Sequence, residues 1–236
     1  MGHKKRRVVV FSGAGMSAES GIATFRDENG LWQNYKIEEV ATPDAWKAKP
    51  SMVQEFYNLR RRNIRESSPN LAHLQITELQ EVESVLIITQ NIDDLHERAG
   101  SHSVLHLHGN IMLAKSSGPN AEKKYYPVEG DLNLKTDFCD EGYPLRPHVV
   151  WFGEDVPNYE VAQKEMQDAD CLIVIGTSLN VYPAAGLIHC VSKSCKCFVI
   201  DPNVNELNVP NSFELIPMGA IDGMKFLMNS YFKKEG

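Results

Sequence analysis

Paired cysteines are missing from this sequence. Its five cysteines include no C-x-x-C spacing. An odd number of cysteines without secretory context indicates reduced, mostly buried thiols rather than a disulfide framework. Those cysteines are Cys139, Cys171, Cys190, Cys195 and Cys197.

An excess of positive charge is missing too. The net charge is −7, and the only strongly basic run, at 3–7, fits a solvated approach to the first strand. This charge argues against nucleic acid as the main partner and suits the approach of lysine-rich polypeptides.

Long apolar runs are also absent. No run approaches the ~20 residues that a helix needs to span a bilayer, and no signal-peptide pattern opens the chain. We therefore expect a cytoplasmic protein without a membrane partner. With 42% hydrophobic and 23% charged residues among 236, the sequence fits an ordinary soluble protein of one large domain.

Short apolar runs alternate with helical segments along most of the chain. Strands are predicted at 7–12, 85–88, 104–107, 171–175 and 197–200, and helices at 51–65, 69–80, 94–99, 161–168 and 184–192. This alternation favours an α/β fold with a doubly wound, mostly parallel sheet. Residues 110–147 break the pattern, which predicts an inserted small subdomain.

The segment 69–80 carries apolar residues at helical spacing. We predict that these residues pack inward and that His73 is structural. The inward set is Leu71, Ala72, Leu74, Ile76 and Leu79.

Gly13, Gly15 and Ala18 follow the first strand in a G-x-G-x-x-A pattern. In a dinucleotide fingerprint the first glycine permits the turn, the second lets backbone approach a pyrophosphate, and the third packs helix on strand. Backbone N–H groups at such a turn favour phosphates. An ordinary turn is the alternative interpretation.

The residues after this turn carry more information. Thr24-Phe25-Arg26 and Gly30-Leu31-Trp32 place an arginine in an apolar, aromatic segment, which suggests a loop over a bound nucleotide. The stretch 13–32 resembles the first signature of the sirtuins, the NAD-dependent protein-lysine deacylases. Gln90-Asn91-Ile92-Asp93 resembles their second signature. Leu105–Asn110 resembles their catalytic histidine motif.

The resemblance runs roughly from Val8 to Ala220. It implies one catalytic domain over 1–236, with a large Rossmann-type part and a small subdomain built from insertions. The large part is expected at about 1–35, 68–109 and 148–236, and the small one at about 36–67 and 110–147.

The histidine motif selects His108, not His106, as the general base. A neutral imidazole suits proton abstraction near pH 7, although a histidine at a strand end can also be structural. The resemblance makes Asn91, Asp93 and Arg26 its catalytic partners at the nicotinamide ribose. A helix cap is the alternative role for Asp93.

The resemblance assigns further residues to NAD, with Asp201 accepting from adenosine-ribose hydroxyls. At position 201 most sirtuins have asparagine. The NAD set is Gly13, Ala14, Gly15, Ser17, Ala18, Glu19, Ala23, Thr24, Phe25, Arg26, Trp32, Gln90, Asn91, Ile92, Asp93, Gly176, Thr177, Ser178, Asp201, Asn203 and Ala220.

Two segments, 150–154 and 178–183, resemble the strands between which sirtuins hold an extended acyl-lysine peptide by main-chain hydrogen bonds. The implied substrate set is Tyr57, Arg60, Val150, Phe152, Gly153, Glu154, Asn180, Val181 and Tyr182. Two ordinary loop edges are the alternative interpretation.

The sequence departs from the family at its zinc module. Most sirtuins hold a structural zinc on four cysteines after the catalytic histidine, whereas 110–147 contains only Cys139. A tetrahedral site needs four Cys or His ligands. We therefore predict no metal and a subdomain held by packing around Tyr125, Tyr126 and Phe138.

The acyl preference is a second question. Tyr57 and Arg60 match the Tyr-x-x-Arg pair of sirtuins that remove succinyl and malonyl groups, and an arginine fork suits a carboxylate. Those relatives usually have a small residue where this chain has Glu28. Desuccinylation and deacetylation both stay open, and a solvated helix face is the alternative.

The resemblance implies a deacylase that converts NAD and acyl-lysine into nicotinamide, O-acyl-ADP-ribose and free lysine. One alternative is a protein ADP-ribosyltransferase or NAD hydrolase on the same fold. Another is a catalytically idle NAD-binding scaffold.

Overall fold

A computed structural model describes residues 4–23 and 35–232. The strands are β1 Arg7–Ser12, β2 Ser84–Thr89, β3 Val104–His106, β4 Gly109–Ser116, β5 Tyr125–Pro127, β6 Leu145–Val149, β7 Cys171–Ile175, β8 Lys196–Ile200 and β9 Glu214–Ile216. The main sheet has six parallel strands in the order β3-β2-β1-β7-β8-β9. A second, antiparallel sheet has the order β5-β4-β6. The predicted α/β fold with a mostly parallel sheet is confirmed.

Strand β1 lies at the centre because it is apolar on both faces. Val8 and Val10 enter one core cluster, whereas Val9 and Phe11 enter the other. The chain runs outward from β1 through β2 to β3, and returns on the other side of β1 at β7. The carboxyl ends of β1 and β7 therefore flank a topological switch point, where open α/β sheets bind ligands.

The helices are α1 Gly15–Ala18, α2 Ile37–Val40, α3 Pro43–Ala48, α4 Pro50–Glu66, α5 Leu71–Val82, α6 Leu95–Arg98, α7 Tyr159–Gln167 and α8 Ala220–Leu227. Several of them lie where the sequence predicts them, notably α4, α5 and α7. Residues Ala184–His189 form a 3-10 helix rather than the predicted α-helix, and a π-helical turn, Met228–Phe232, follows α8.

Helix α5 corrects part of the predicted inward face. Ala72, Ile76 and Leu79 are buried, but Leu71 is 58% exposed and Leu74 is 40% exposed. The buried stripe is narrower than the apolar spacing suggests, because positions 71 and 74 lie at its solvent edge. His73 is buried, which fits the structural role predicted for it.

The inserted region contains regular structure that the sequence pattern did not reveal. Strand β4 pairs with β5 and β6, so 110–147 includes an antiparallel sheet. Its small core consists of Ala114, Leu132, Cys139 and Leu145, with Tyr126 packed against it. The predicted role of Tyr125 and Phe138 is wrong, since both are exposed. Helix α4 contributes to a neighbouring cluster with Ile111, Val149 and Trp151.

Across residues 4–23 and 35–232, no helix is long and apolar enough to cross a membrane.

Candidate active site

Most of the predicted cofactor residues follow the carboxyl ends of β1, β2, β7 and β8. The glycine turn follows β1, Gln90–Asp93 follow β2, Gly176–Ser178 follow β7, and Asp201 follows β8. Thr24, Phe25, Arg26, Glu28 and Trp32 lie outside the described residues. Ala23 is exposed at the last described position before that gap.

The glycine turn is packed against the turn after β7. Gly13 N donates to Ile175 O at 3.0 Å, and Gly15 N donates to Gly176 O at 2.8 Å. Side chains are excluded here, since a Cβ on Gly15 would lie 2.8 Å from Gly176 Cα. The N–H groups of Gly13 and Gly15 are therefore used inside the protein, and the binding of a pyrophosphate at this turn stays a prediction.

Helix α1 is only four residues long. Met16 and Ser17 are its buried residues, whereas Ala18 is exposed, so the predicted packing of Ala18 against the strand is wrong. Beyond α1, Glu19 Oε2 accepts a hydrogen bond from Ile221 N at 3.0 Å. This contact connects the glycine turn to the start of α8, where Ala220 is buried.

Ser17 joins two residues of the second signature. Its Oγ donates to Asp93 Oδ2 at 3.0 Å and accepts from Asn91 Nδ2 at 3.1 Å. Burial raises the pKa of Asp93, although hydrogen bonds from the Leu95 N–H and from Ser17 oppose that rise. The structure thus brings these predicted residues together into one buried polar cluster.

A buried hydrogen-bond chain supports this cluster from below, and the sequence analysis missed it. Thr89 Oγ1 accepts from Asn91 N at 3.0 Å and from Ser12 Oγ at 2.9 Å. Ser12 Oγ lies 3.0 Å from His96 Nε2. Polar Ser12 and Thr89 at the ends of otherwise apolar strands were the available signal.

His108 is held in the tautomer that a base requires. Its Nδ1 lies 3.0 Å from Gln90 O. A carbonyl oxygen can only accept, so Nδ1 carries the proton and the lone pair is on Nε2. Burial lowers the pKa of His108, with a smaller opposing effect from that carbonyl.

The backbone after His108 requires glycine. Gly109 has φ +83°, and a Cβ there would lie 2.2 Å from His148 O. A side chain would therefore displace the turn that carries the imidazole.

His106 is arranged differently. Its Nδ1 lies 3.0 Å from Asn91 O and its Nε2 lies 2.7 Å from Glu97 Oε1. Burial disfavours its cation, but the Glu97 carboxylate outweighs this and raises the pKa of His106. With both nitrogens donating to oxygens, His106 offers no lone pair. Of the two histidines, only His108 therefore has a ring nitrogen with a free lone pair, and its role as the base stays a prediction.

Gln90 connects the two sides of the switch point. Its Nε2 donates to Thr177 Oγ1 at 2.9 Å, while its carbonyl accepts from His108. Ser178 is half-buried beyond Thr177. His108 is thus positioned relative to the turn after β7.

Asp201 and Asn203 lie at the end of β8. Asp201 Oδ1 accepts from Asn203 N at 2.8 Å, which closes the turn there. Asp201 is half-buried and directly follows β8, at the same edge of the sheet as the turns after β1, β2 and β7.

Tyr57 and Arg60 share one face of α4, as their spacing predicts. The Arg60 guanidinium carbon lies 5.9 Å from the centroid of the Tyr57 ring and 5.7 Å from that of Phe56. Tyr57 is 1% exposed. Its Oη accepts a hydrogen bond from Trp151 Nε1 at 3.1 Å, which the sequence analysis missed.

The segments expected to flank a peptide are loops rather than strands. Residues 150–154 follow β6, and 178–183 follow β7. Phe152 is 45% exposed and Tyr182 is 73% exposed, with Asn180 exposed and Val181 half-buried. Val150 N and Phe152 N donate within the protein, to His108 O and Ala41 O.

Both carboxylate oxygens of Glu154 accept hydrogen bonds from within the protein. Its two oxygens accept from Arg146 Nη1 at 2.7 Å and Nη2 at 2.9 Å. Oε2 also accepts from Trp151 N at 2.8 Å. The sequence signal available for this pair was an arginine, Arg146, within a short strand, β6. The pairing of Glu154 with Arg146 fixes the loop 150–154, which includes Gly153 with φ +91°.

In the part of the chain that the structure describes, no three His, Cys, Asp or Glu side chains are grouped to hold a metal ion.

A sequence profile described as "SIR2: Sir2 family" matches residues 13–183. The NAD-dependent protein deacylase of Bacteroides thetaiotaomicron is 44% identical over 226 residues, covering 94% of this chain and 96% of that protein. A protein of the same name from Helicobacter pylori (strain ATCC 700392 / 26695) is 47% identical over 224 residues, covering 94% of this chain and 96% of its own.

Solved structures agree with these relatives. A Sir2 homologue in complex with NAD superposes with a TM-score of 0.84 at 39% identity, covering 94% of this chain and 88% of that chain. A Sir2 variant with a deacetylated p53 peptide and 3′-O-acetyl ADP-ribose has a TM-score of 0.78 at 30% identity, covering 98% and 96%. The protein described here therefore belongs to the Sir2 family.

Proposed function

We propose that this protein is an NAD-dependent protein-lysine deacylase that releases nicotinamide, O-acyl-ADP-ribose and free lysine. The observation that carries this proposal is the His108 imidazole, whose lone pair is on Nε2 because Nδ1 donates to Gln90 O. The names of the relatives from Bacteroides and Helicobacter support the same activity.

The residues at the sheet edge fit NAD. Hydroxyl, amide and carboxylate groups of Ser17, Asn91 and Asp93 are buried together on one side of the switch point. Asp201 follows β8 on the other side of the switch point, where a carboxylate suits the ribose hydroxyls of a dinucleotide. When bound, NAD supplies the ADP-ribosyl group that accepts the acyl group, and nicotinamide leaves.

The protein's own residues do three things in this reaction. His108 Nε2 takes a proton from a ribose hydroxyl, since its lowered pKa keeps it neutral near pH 7. Asn91 and Asp93, fixed by Ser17, orient the ribose and the nicotinamide. Burial of this cluster keeps water out, which strengthens each polar contact. An extended acyl-lysine peptide lies between 150–154 and 180–182.

Incubating the enzyme and NAD with increasing acyl-lysine peptide tests this function. We expect nicotinamide release in proportion to peptide deacylated. Release without peptide identifies an NAD hydrolase, label on a protein acceptor identifies an ADP-ribosyltransferase, and no turnover with NAD binding identifies an idle scaffold.

We also propose that Tyr57 and Arg60 recognise acidic acyl groups such as succinyl. The Arg60 guanidinium lies over the rings of Phe56 and Tyr57. An acyl carboxylate bound beside this guanidinium would pair with its positive charge. Tyr57 adds a hydroxyl donor. Charge-assisted hydrogen bonds of this kind are roughly twice as strong as neutral ones.

The change Arg60→Ala is expected to lower kcat/KM on a succinyl-lysine peptide at least ~10-fold more than on the matching acetyl peptide. The reason is that the acetyl group has no carboxylate to pair. Arg62→Ala is the matched control, because Arg62 lies on the same helix but pairs with exposed Glu55 and Asp131. An equal loss on both peptides contradicts the clamp.

We further propose that the small subdomain needs no structural zinc. Cys139 is packed with Ala114, Leu132 and Leu145 in an apolar cluster, a setting that suits a structural thiol. We expect metal analysis of the purified protein to find no stoichiometric zinc, and EDTA to leave its thermal unfolding unchanged. One zinc per chain would end this proposal.

A further inference from the structure

Trp151 determines how the Tyr57 hydroxyl can bond. The indole Nε1 lies 3.1 Å from Tyr57 Oη. An indole N–H only donates, so the tyrosine oxygen is the acceptor in this pair. The hydrogen of the Tyr57 hydroxyl is therefore left to donate to a different group.

The hydroxyl keeps this hydrogen at neutral pH. Burial raises the pKa of Tyr57 to about 12, although the charges of Arg60 and Arg146 and the bond from Trp151 oppose that rise. Because Tyr57 is 1% exposed, any group that reaches its hydroxyl has lost its contact with water. A hydrogen bond between the two then avoids the cost of leaving a buried polar group unpaired.

Trp151 is itself held on several sides. It is 2% exposed, and its backbone N donates to Glu154 Oε2 at 2.8 Å. The Arg146 guanidinium carbon lies 3.4 Å from its ring centroid, while Arg146 pairs with both oxygens of Glu154. The Trp46 ring packs against it with centroids 5.7 Å apart. The indole N–H therefore has one fixed direction.

We propose that Trp151 is a specificity-determining positioning residue, which fixes the Tyr57 hydroxyl as a donor toward a carboxylate on the acyl chain. This inference rests on the proposed clamp of Tyr57 and Arg60. An ionised carboxylate only accepts hydrogen bonds, so it matches a hydroxyl restricted to donating. The methyl of an acetyl group neither donates nor accepts, and gains nothing from this arrangement.

The change Trp151→Phe removes the N–H and keeps an aromatic ring. We expect the ratio of kcat/KM on succinyl-lysine to that on acetyl-lysine peptide to fall ~10-fold. The ratio cancels any difference in the fraction of folded enzyme, and thermal unfolding checks that the variant folds. Trp46→Phe is the matched control, with the same chemical change in the same cluster, and should keep the wild-type ratio.

A double variant separates positioning from packing. If Trp151 acts through Tyr57, Trp151→Phe combined with Tyr57→Phe has the same ratio as Tyr57→Phe alone. A double variant whose ratio falls by the product of the two single effects overturns the proposal. The proposal is also overturned if Trp151→Phe keeps the wild-type ratio of succinyl to acetyl kcat/KM while Arg60→Ala selectively loses turnover of the succinyl peptide. Absence of that selective loss in Arg60→Ala instead refutes the clamp itself.

Discussion

Replacing His108 by alanine is expected to lower kcat/KM for deacylation by ~10²- to 10⁴-fold, the usual contribution of a general base. The imidazole is the group placed to accept a proton, since its Nδ1–H is fixed on Gln90 O and its lone pair is on Nε2. Peptide deacylation followed at saturating NAD measures the loss. Thermal unfolding should change little, because the substitution removes one hydrogen bond from a partly buried side chain.

His106→Gln is the control for this experiment. His106 is two residues away, but both its nitrogens donate, to Asn91 O and to Glu97. Glutamine keeps a donor, so we expect less than a ~10-fold loss, mainly through the position of Asn91. Equal losses in the two variants would contradict the assignment of the base to His108.

The pH dependence gives the same assignment a second readout. Burial lowers the pKa of His108, so the neutral, reactive form persists below the ordinary imidazole value of ~6.5. The decline of kcat/KM on the acid side should therefore have its midpoint below pH ~6.5, and His108→Ala should abolish this decline. A midpoint clearly above that value would exclude a desolvated His108 as the titrating group.

Local sequence signals predicted five strands of the large sheet and helices α4, α5 and α7, but not β9, α8 or the small sheet. Strand β1 could be predicted because its apolar residues do not alternate, which reports burial on both faces. Strand β9 has only three residues, two of them exposed, and carries no such signal. Helix α8 starts where Glu19, some 200 residues earlier, accepts the Ile221 N–H. A contact of that range leaves no mark in a local pattern.

The site shows the same division. The resemblance to the sirtuin motifs pointed to His108, Asn91 and Asp93, which the fold brings to one edge of the sheet. Spacing could not reveal that Gln90 O sets the tautomer of His108, or that Trp151 donates to Tyr57 from 94 residues away. Protonation states and donor directions depend on neighbours that are distant in sequence, so they become visible only in the folded chain.

The second large effect is expected from Gly176→Ala, at the contact between the two turns of the cofactor site. Gly176 has φ +60°, and a Cβ there would lie 2.3 Å from Met16 N and 2.5 Å from Gly15 C. The left-handed conformation costs a residue with a Cβ ~1–2 kcal/mol, and forcing an extra carbon into packed structure costs ~1–3 kcal/mol. A loss of ~1 kcal/mol lowers the melting temperature by ~2–4 °C in a chain of this size. The melting temperature of the variant should therefore fall by several degrees.

NAD binding should be lost along with this stability, because the added methyl pushes Gly15 and Met16 out of the turn that Gly176 O holds. Calorimetric titration with NAD below the lowered melting temperature measures that loss. Gly142→Ala is the matched control, since Gly142 has φ +81° but nothing within 4 Å of its added Cβ. It should incur the conformational cost alone and bind NAD like the wild type. If Gly176→Ala bound NAD equally well, the close packing of the two turns would not be what shapes the cofactor site.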